Sequence, residues 1–85
     1  MFVVFDIITK EPYILRCTED DGEVRVALTA AETIEALHAV IDRVYGKGWH
    51  GRFEYHRADA AGIARRRGIH WFYGGGDTCV PVERA

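Results

Sequence analysis

Four histidines, His38, His50, His56 and His70, have the widest chemical repertoire in this chain, since an imidazole can ligate a metal or move a proton near neutral pH. Their spacing limits both uses. With residues 49 to 57 read as one strand, His50 and His56 share a face but stand about 20 Å apart at ~3.3 Å per residue, too far for one ion. Glu54 and His56 are close enough to share an ion, yet two ligands make an incomplete site. His38 has Asp42 one helical turn on, the spacing of an i,i+4 pair. No metal site and no cofactor are predicted.

Nucleophilic catalysis finds little support. The chain contains no serine, its threonines fall where turns, caps and strand ends need them, and neither Cys17 nor Cys79 has a histidine near it in sequence. Without an export signal the two cysteines are expected to be reduced thiols. Gly74-Gly75-Gly76-Asp77 lacks the Lys-Ser/Thr of a phosphate loop and opens no helix, so it reads as a hairpin turn. No catalytic set is assigned.

Charge and aromatic residues say more. The formal net charge of -2 hides two opposite halves. Residues 1 to 46 carry nine acids against four bases, a balance of -5, and residues 47 to 85 carry seven bases against four acids, a balance of +3. In the basic half Trp49, Phe53, Tyr55, Trp71, Phe72 and Tyr73 interleave with Arg52, Arg57 and the run Arg65-Arg66-Arg67. This composition stacks bases and neutralises phosphate, and it equally makes protein hot spots, where Trp, Tyr and Arg dominate. In the acidic half Glu19, Asp20, Asp21 and Glu23 cluster at one turn, a contact for a basic partner surface. The candidate partner-binding residues are therefore Trp49, Arg52, Arg57, Arg65, Arg66, Arg67 and Trp71, with Asp20, Asp21 and Glu23 as a second patch.

The elements that must position these residues fit one domain, residues 1–85, because a chain this short has no room for a second core. Residues 2 to 9, 12 to 18 and 23 to 28 read as a three-strand antiparallel meander. The first strand is apolar on both faces, which predicts a central place or a partner chain, so a homodimer is compatible with it. Val24, Val26 and Leu28 alternate with Arg25 and Ala27, predicting one buried and one wet face. Thr29 and Glu32 read as a capping box for a helix running to about Tyr45, with an apolar stripe of Ala30, Ile34, Leu37, Ile41 and Tyr45 and with Gly46 to end it. A fourth strand is predicted over 49 to 57. A short helix follows over Ala60 to Arg67, with Asp59 as N-cap, Gly68 as stop and the arginine run at its negative end. Residues 69 to 73 and 79 to 82 read as a closing hairpin. The predicted class is α+β: a five- to six-stranded antiparallel sheet with one main helix packed on one face, in the order β-β-β-α-β-short α-β-β.

The stretch Arg67-Gly68-Ile69-His70-Trp71-Phe72-Tyr73, followed by Val80-Pro81, resembles the corresponding segment of HicA-type mRNA-cleaving toxins. The resemblance implies a catalytic role for His70. It covers about 15 positions; Ile69 stands where the family has serine, three strands precede the main helix, and no helix follows Pro81.

These features predict a small non-enzymatic protein-binding module, of the kind with which a phage or mobile element blocks a host nuclease or defence complex. Its partner is expected to be a larger protein or protein–nucleic acid complex. The alternatives are a small RNA- or ssDNA-binding protein using the basic, aromatic half, and a ribonuclease-type toxin using His70. The four-residue apolar run Phe2 to Phe5 resembles neither a signal peptide nor a membrane span, so no membrane contact and a cytoplasmic location are expected.

Overall fold

Val3 and Val4 are neighbours in sequence and both fully buried, yet they belong to different apolar clusters, because successive side chains of a strand leave opposite faces. The sheet therefore has a core on each side. A computed structural model describes residues 1–18, 21–74 and 80–84. Its elements are β1 (Phe2–Asp6), β2 (Ile14–Thr18), β3 (Val24–Ala31), α1 (Ile34–Val44), a 3₁₀ segment (Lys47–Arg52), β4 (Phe53–Arg57), α2 (Ala60–Arg67), β5 (Trp71–Tyr73) and β6 (Val80–Arg84). The strands form one sheet in the order β4-β1-β3-β2-β6, with β5 also paired to β3. The fold is α+β. β1 sits between β4 and β3, as a strand apolar on both faces must.

Each helix covers one face. Leu37, Val40 and Ile41 of α1 pack with Val4, Leu15, Cys17, Ala27 and Tyr73. Ala60, Ile63 and Ala64 of α2 pack with Val3, Leu28, Ala30 and Ile69. The ends of α2 follow local chemistry: the Asp59 carboxylate accepts from the Gly62 amide at 3.1 Å, and Gly68 closes the helix at φ 69°, a left-handed conformation that costs glycine little.

Several expectations are corrected. The first three strands are not a meander: β3 pairs with both β1 and β2, and β1 meets the segment before β2 at the single bridge Phe5–Pro12. Thr29 does not cap α1, because β3 runs on through Thr29, Ala30 and Ala31 to pair with β1. The cap is Thr33, whose hydroxyl accepts from the Ala36 amide at 3.2 Å. Two threonines four residues apart offer the same cap chemistry, and strand pairing decides between them.

Residues 47 to 52 are a 3₁₀ segment rather than the start of a strand, entered through Gly46 at φ 102°. His50 and His56 therefore do not share a strand. β5 and β6 do not pair as a hairpin: β5 runs parallel to β3 and β6 antiparallel to β2, so each joins the large sheet, where an isolated two-stranded ribbon would be marginal. Val24 and Val26 are 49% and 44% exposed while Leu28, on the same side of β3, is buried under α2. The short α2 does not reach the beginning of β3. Asp20, Cys79 and the turn 75–77 lie outside the described residues.

Candidate functional site

β5 gives the outer surface its main feature. Its parallel register places Trp71 beside Ala27 and Tyr73 beside Thr29. Tyr73 is fully buried beneath α1, while Trp71 stays 43% exposed. The Arg25 guanidinium lies over the Trp71 ring, 4.7 Å from its centroid. The same guanidinium is 2.9 Å from the Glu23 carboxylate and 4.0 Å from that of Asp21. Acid, arginine and tryptophan thus form one stack across the β2–β3 turn and β5. The His70 ring meets Trp71 edge-on at 5.9 Å.

This stack borders a groove of about 550 Å³ lined by Glu23, Val24, Arg25, Val26, Gly68, His70 and Trp71. Phe72 is exposed next to it in sequence. The structure thereby brings Trp71 to Asp21 and Glu23, residues that the charge pattern separates into opposite halves. Gly68, which ends the helix carrying the arginine run, lines the same groove.

The remaining predicted residues lie elsewhere and are largely engaged within the chain. Trp49 lies on the 3₁₀ segment against Tyr45, with ring centroids 5.3 Å apart. Arg52 donates to Asp6 at 3.2 Å. The Arg57 guanidinium lies over the Phe2 ring at 4.8 Å. Arg67 pairs with Glu11, whereas Arg65 and Arg66 are exposed on α2. Trp49 and Arg52 thus lie before one end of β4 and Arg57 at its other end, on a strand two places from β3 in the sheet order.

Asp6 is held by the amides of Ile8 at 2.8 Å and Thr9 at 3.2 Å as well as by Arg52. The Ile8 amide lowers its pKa most; burial opposes it next, and the Thr9 amide and Arg52 then bring it below the usual value of 3.8. A carboxyl that titrates lower in the folded state contributes its full stability above its unfolded pKa and loses it as the pH falls through the folded one. Asp6→Asn is therefore expected to flatten the acid limb of a stability–pH curve below about pH 4, measured by urea unfolding. An unchanged acid limb would contradict this.

A cluster not predicted from sequence joins three elements. His50 Nε2 is 2.6 Å from Asp42 Oδ1, and His50 Nδ1 is 3.1 Å from the Tyr55 hydroxyl. A carboxylate only accepts, so Nε2 carries a proton and, in the neutral ring, Nδ1 accepts from the phenol. The His38 ring lies 4.7 Å from that of His50 and 4.6 Å from that of Tyr55. His38 thus does not take Asp42 as its partner; His50 does, since the 3₁₀ segment aims it there. Burial, then the Asp42 charge, push the Tyr55 pKa up, which keeps the phenol protonated and bonded to the imidazole. The arrangement can pass a proton, and it also ties α1, the 3₁₀ segment and β4 together.

His56 is 2.9 Å from Glu54, as their spacing predicts. Among the described residues no group of three His, Cys, Asp or Glu could hold a metal ion. Also among them, no helix is long and apolar enough to cross a membrane.

The fold and groove define a small α+β domain with an exposed tryptophan–arginine stack. No family model, curated protein or solved structure matches the chain.

Proposed function

We propose that this chain is a small protein-binding module, with the groove beneath Trp71 as its recognition surface. The observation that carries this reading is the exposed Trp71 ring held under the Arg25 guanidinium, with Val24, Val26 and Phe72 exposed on the opposite face of the same two strands. A tryptophan held flat by an arginine presents large area at little entropic cost, and Trp and Arg are the residues that dominate protein hot spots. Asp21 and Glu23 add negative charge at the rim, which suits a basic partner surface such as that of a nucleic-acid-handling enzyme. A host nuclease or defence complex offers such a surface, and occupying it would be inhibitory without chemistry on the part of this chain.

Nucleic acid is the weaker occupant. The same acids would repel phosphate, and Arg52, Arg57 and Arg67 already engage Asp6, Phe2 and Glu11. His70, the residue singled out by the toxin resemblance, is an exposed imidazole against Trp71.

Affinity capture from a cell lysate tests the reading, comparing wild type with Trp71→Ala after circular dichroism has shown both to be folded. The expected result is a stoichiometric protein partner whose recovery falls at least tenfold with Trp71→Ala, the size of a hot-spot loss. Absence of a partner, or equal recovery by both forms, would overturn it. So would tight binding of single-stranded RNA or DNA at ~50 mM salt with no protein partner, because electrostatic binding is strongest there.

A further inference from the structure

The groove runs along a particular piece of backbone. β3 is an eight-residue strand, but β5 supplies only three partners, the first of them Trp71 opposite Ala27. Val24, Arg25 and Val26 pair with Thr18, Cys17 and Arg16 of β2 on one side. On the β5 side, the space against them is the groove, bounded beyond by Gly68 and His70. A strand placed there would lie between β3 and the Gly68–His70 segment that leads into β5, running towards the β2–β3 turn. Four residues of such a strand span about 13 Å.

The side chains along this edge are not those that soluble proteins use to discourage strand pairing. Exposed edges are normally blunted by charge. β4, at one end of the sheet order, follows that rule with Glu54, His56 and Arg57. On β3 the one central charge, Arg25, is turned onto Trp71, Glu23 and Asp21, which leaves Val24 and Val26 outward. Glu23 lines one end of the groove, and the Asp21 carboxylate lies beside the same Arg25 guanidinium. Apolar contacts along the strand and negative charge at one end describe a complementary occupant.

We infer that the partner is held by strand addition: an extended protein segment with alternating β-branched residues and a terminal Lys or Arg pairs with β3 at Glu23–Val26, in the groove beside Gly68 and His70. This deepens the proposed function and rests on it. Main-chain hydrogen bonds to β3 supply affinity. Val24 and Val26 receive the side chains on one face, Arg25 with Trp71 those on the other, and Asp21 with Glu23 selects the basic end. Blocked peptides of sequence Lys-Thr-Val-Thr-Val and Glu-Thr-Val-Thr-Val are suitable probes, titrated at ~50 mM salt and followed by amide resonances of the full chain.

The basic peptide is expected to shift the Val24 and Val26 amides, and to bind at least fivefold more tightly than the acidic one. Val26→Lys, a change at an exposed position, is expected to weaken it at least tenfold. Absence of β3 shifts up to millimolar peptide, equal affinity for both peptides, or undiminished binding by Val26→Lys would each overturn strand addition. Partner capture lost with Trp71→Ala but kept with Val26→Lys would overturn it while leaving the binding-module reading intact. A doubled mass in light scattering, abolished by Val26→Lys, would make the occupant a second copy of the chain and overturn the partner named here.

Discussion

Tyr73→Ala is expected to lower the unfolding free energy by about 3–5 kcal/mol, as truncation of a fully buried aromatic does. Tyr73, the last residue of β5, is completely enclosed among the residues under α1, and its hydroxyl accepts from Arg43 at 2.8 Å. A domain of this size has roughly 4–13 kcal/mol in total, so the variant should be marginal. Tyr73→Phe keeps the ring and removes only the hydrogen bond, which is worth about 1 kcal/mol. The pair of variants separates packing from polar contact: equal losses in urea unfolding would mean that the ring is not what holds β5. Because Tyr73 and Trp71 lie on the same three-residue strand, destabilising one is also expected to loosen the presentation of the other.

His50→Ala is expected to cost about 1–3 kcal/mol through loss of the bonds to Asp42 and Tyr55. The two partners of the shorter bond are about one-third exposed, 33% for His50 and 35% for Asp42, so solvent screening places its share at the lower end. A double-mutant cycle with Asp42→Ala measures the bond itself, and a coupling of roughly 0.5–2 kcal/mol is expected. Additive single effects would show the two side chains to be energetically independent despite their 2.6 Å separation. Tyr55→Phe should lower the cost of removing His50, since Nδ1 then has no phenol to hold.

The parts of the structure legible in the sequence are those decided within one turn or one strand. Asp59 and Gly68 bracket α2 because capping and the left-handed stop involve only nearby backbone. Glu54 meets His56 because they lie two residues apart on one strand face. β1 takes a central place because a strand apolar on both faces has few other places to go. What escaped is set by pairing between distant segments. Nothing local tells Thr29 that β1 will claim it as strand, or tells Trp71 to Tyr73 that β3 offers a better edge than β6. The Asp42–His50–Tyr55 cluster escaped for the same reason: its members sit on a helix, a 3₁₀ segment and a strand, and no single periodicity relates them.

The candidate site was half legible. Trp71, Asp21 and Glu23 were recognisable as binding types, but not as neighbours. Arg25, which joins Trp71 to the acids, looked like the polar step of an alternating strand. The exposure of Val24 and Val26 was hidden because their pattern is that of a buried face, and only the short reach of α2 reverses it.

Cys17 is a sulfur sealed within β2, with no exposed surface and with β3 and β6 paired to either side of it. A thiol so placed reacts with a labelling reagent only during moments when the sheet parts. In a Cys79→Ala background its modification rate therefore acts as a clock for the opening of β2. The same clock, read with and without a peptide bound along β3, would tell how firmly an added strand clamps the sheet shut.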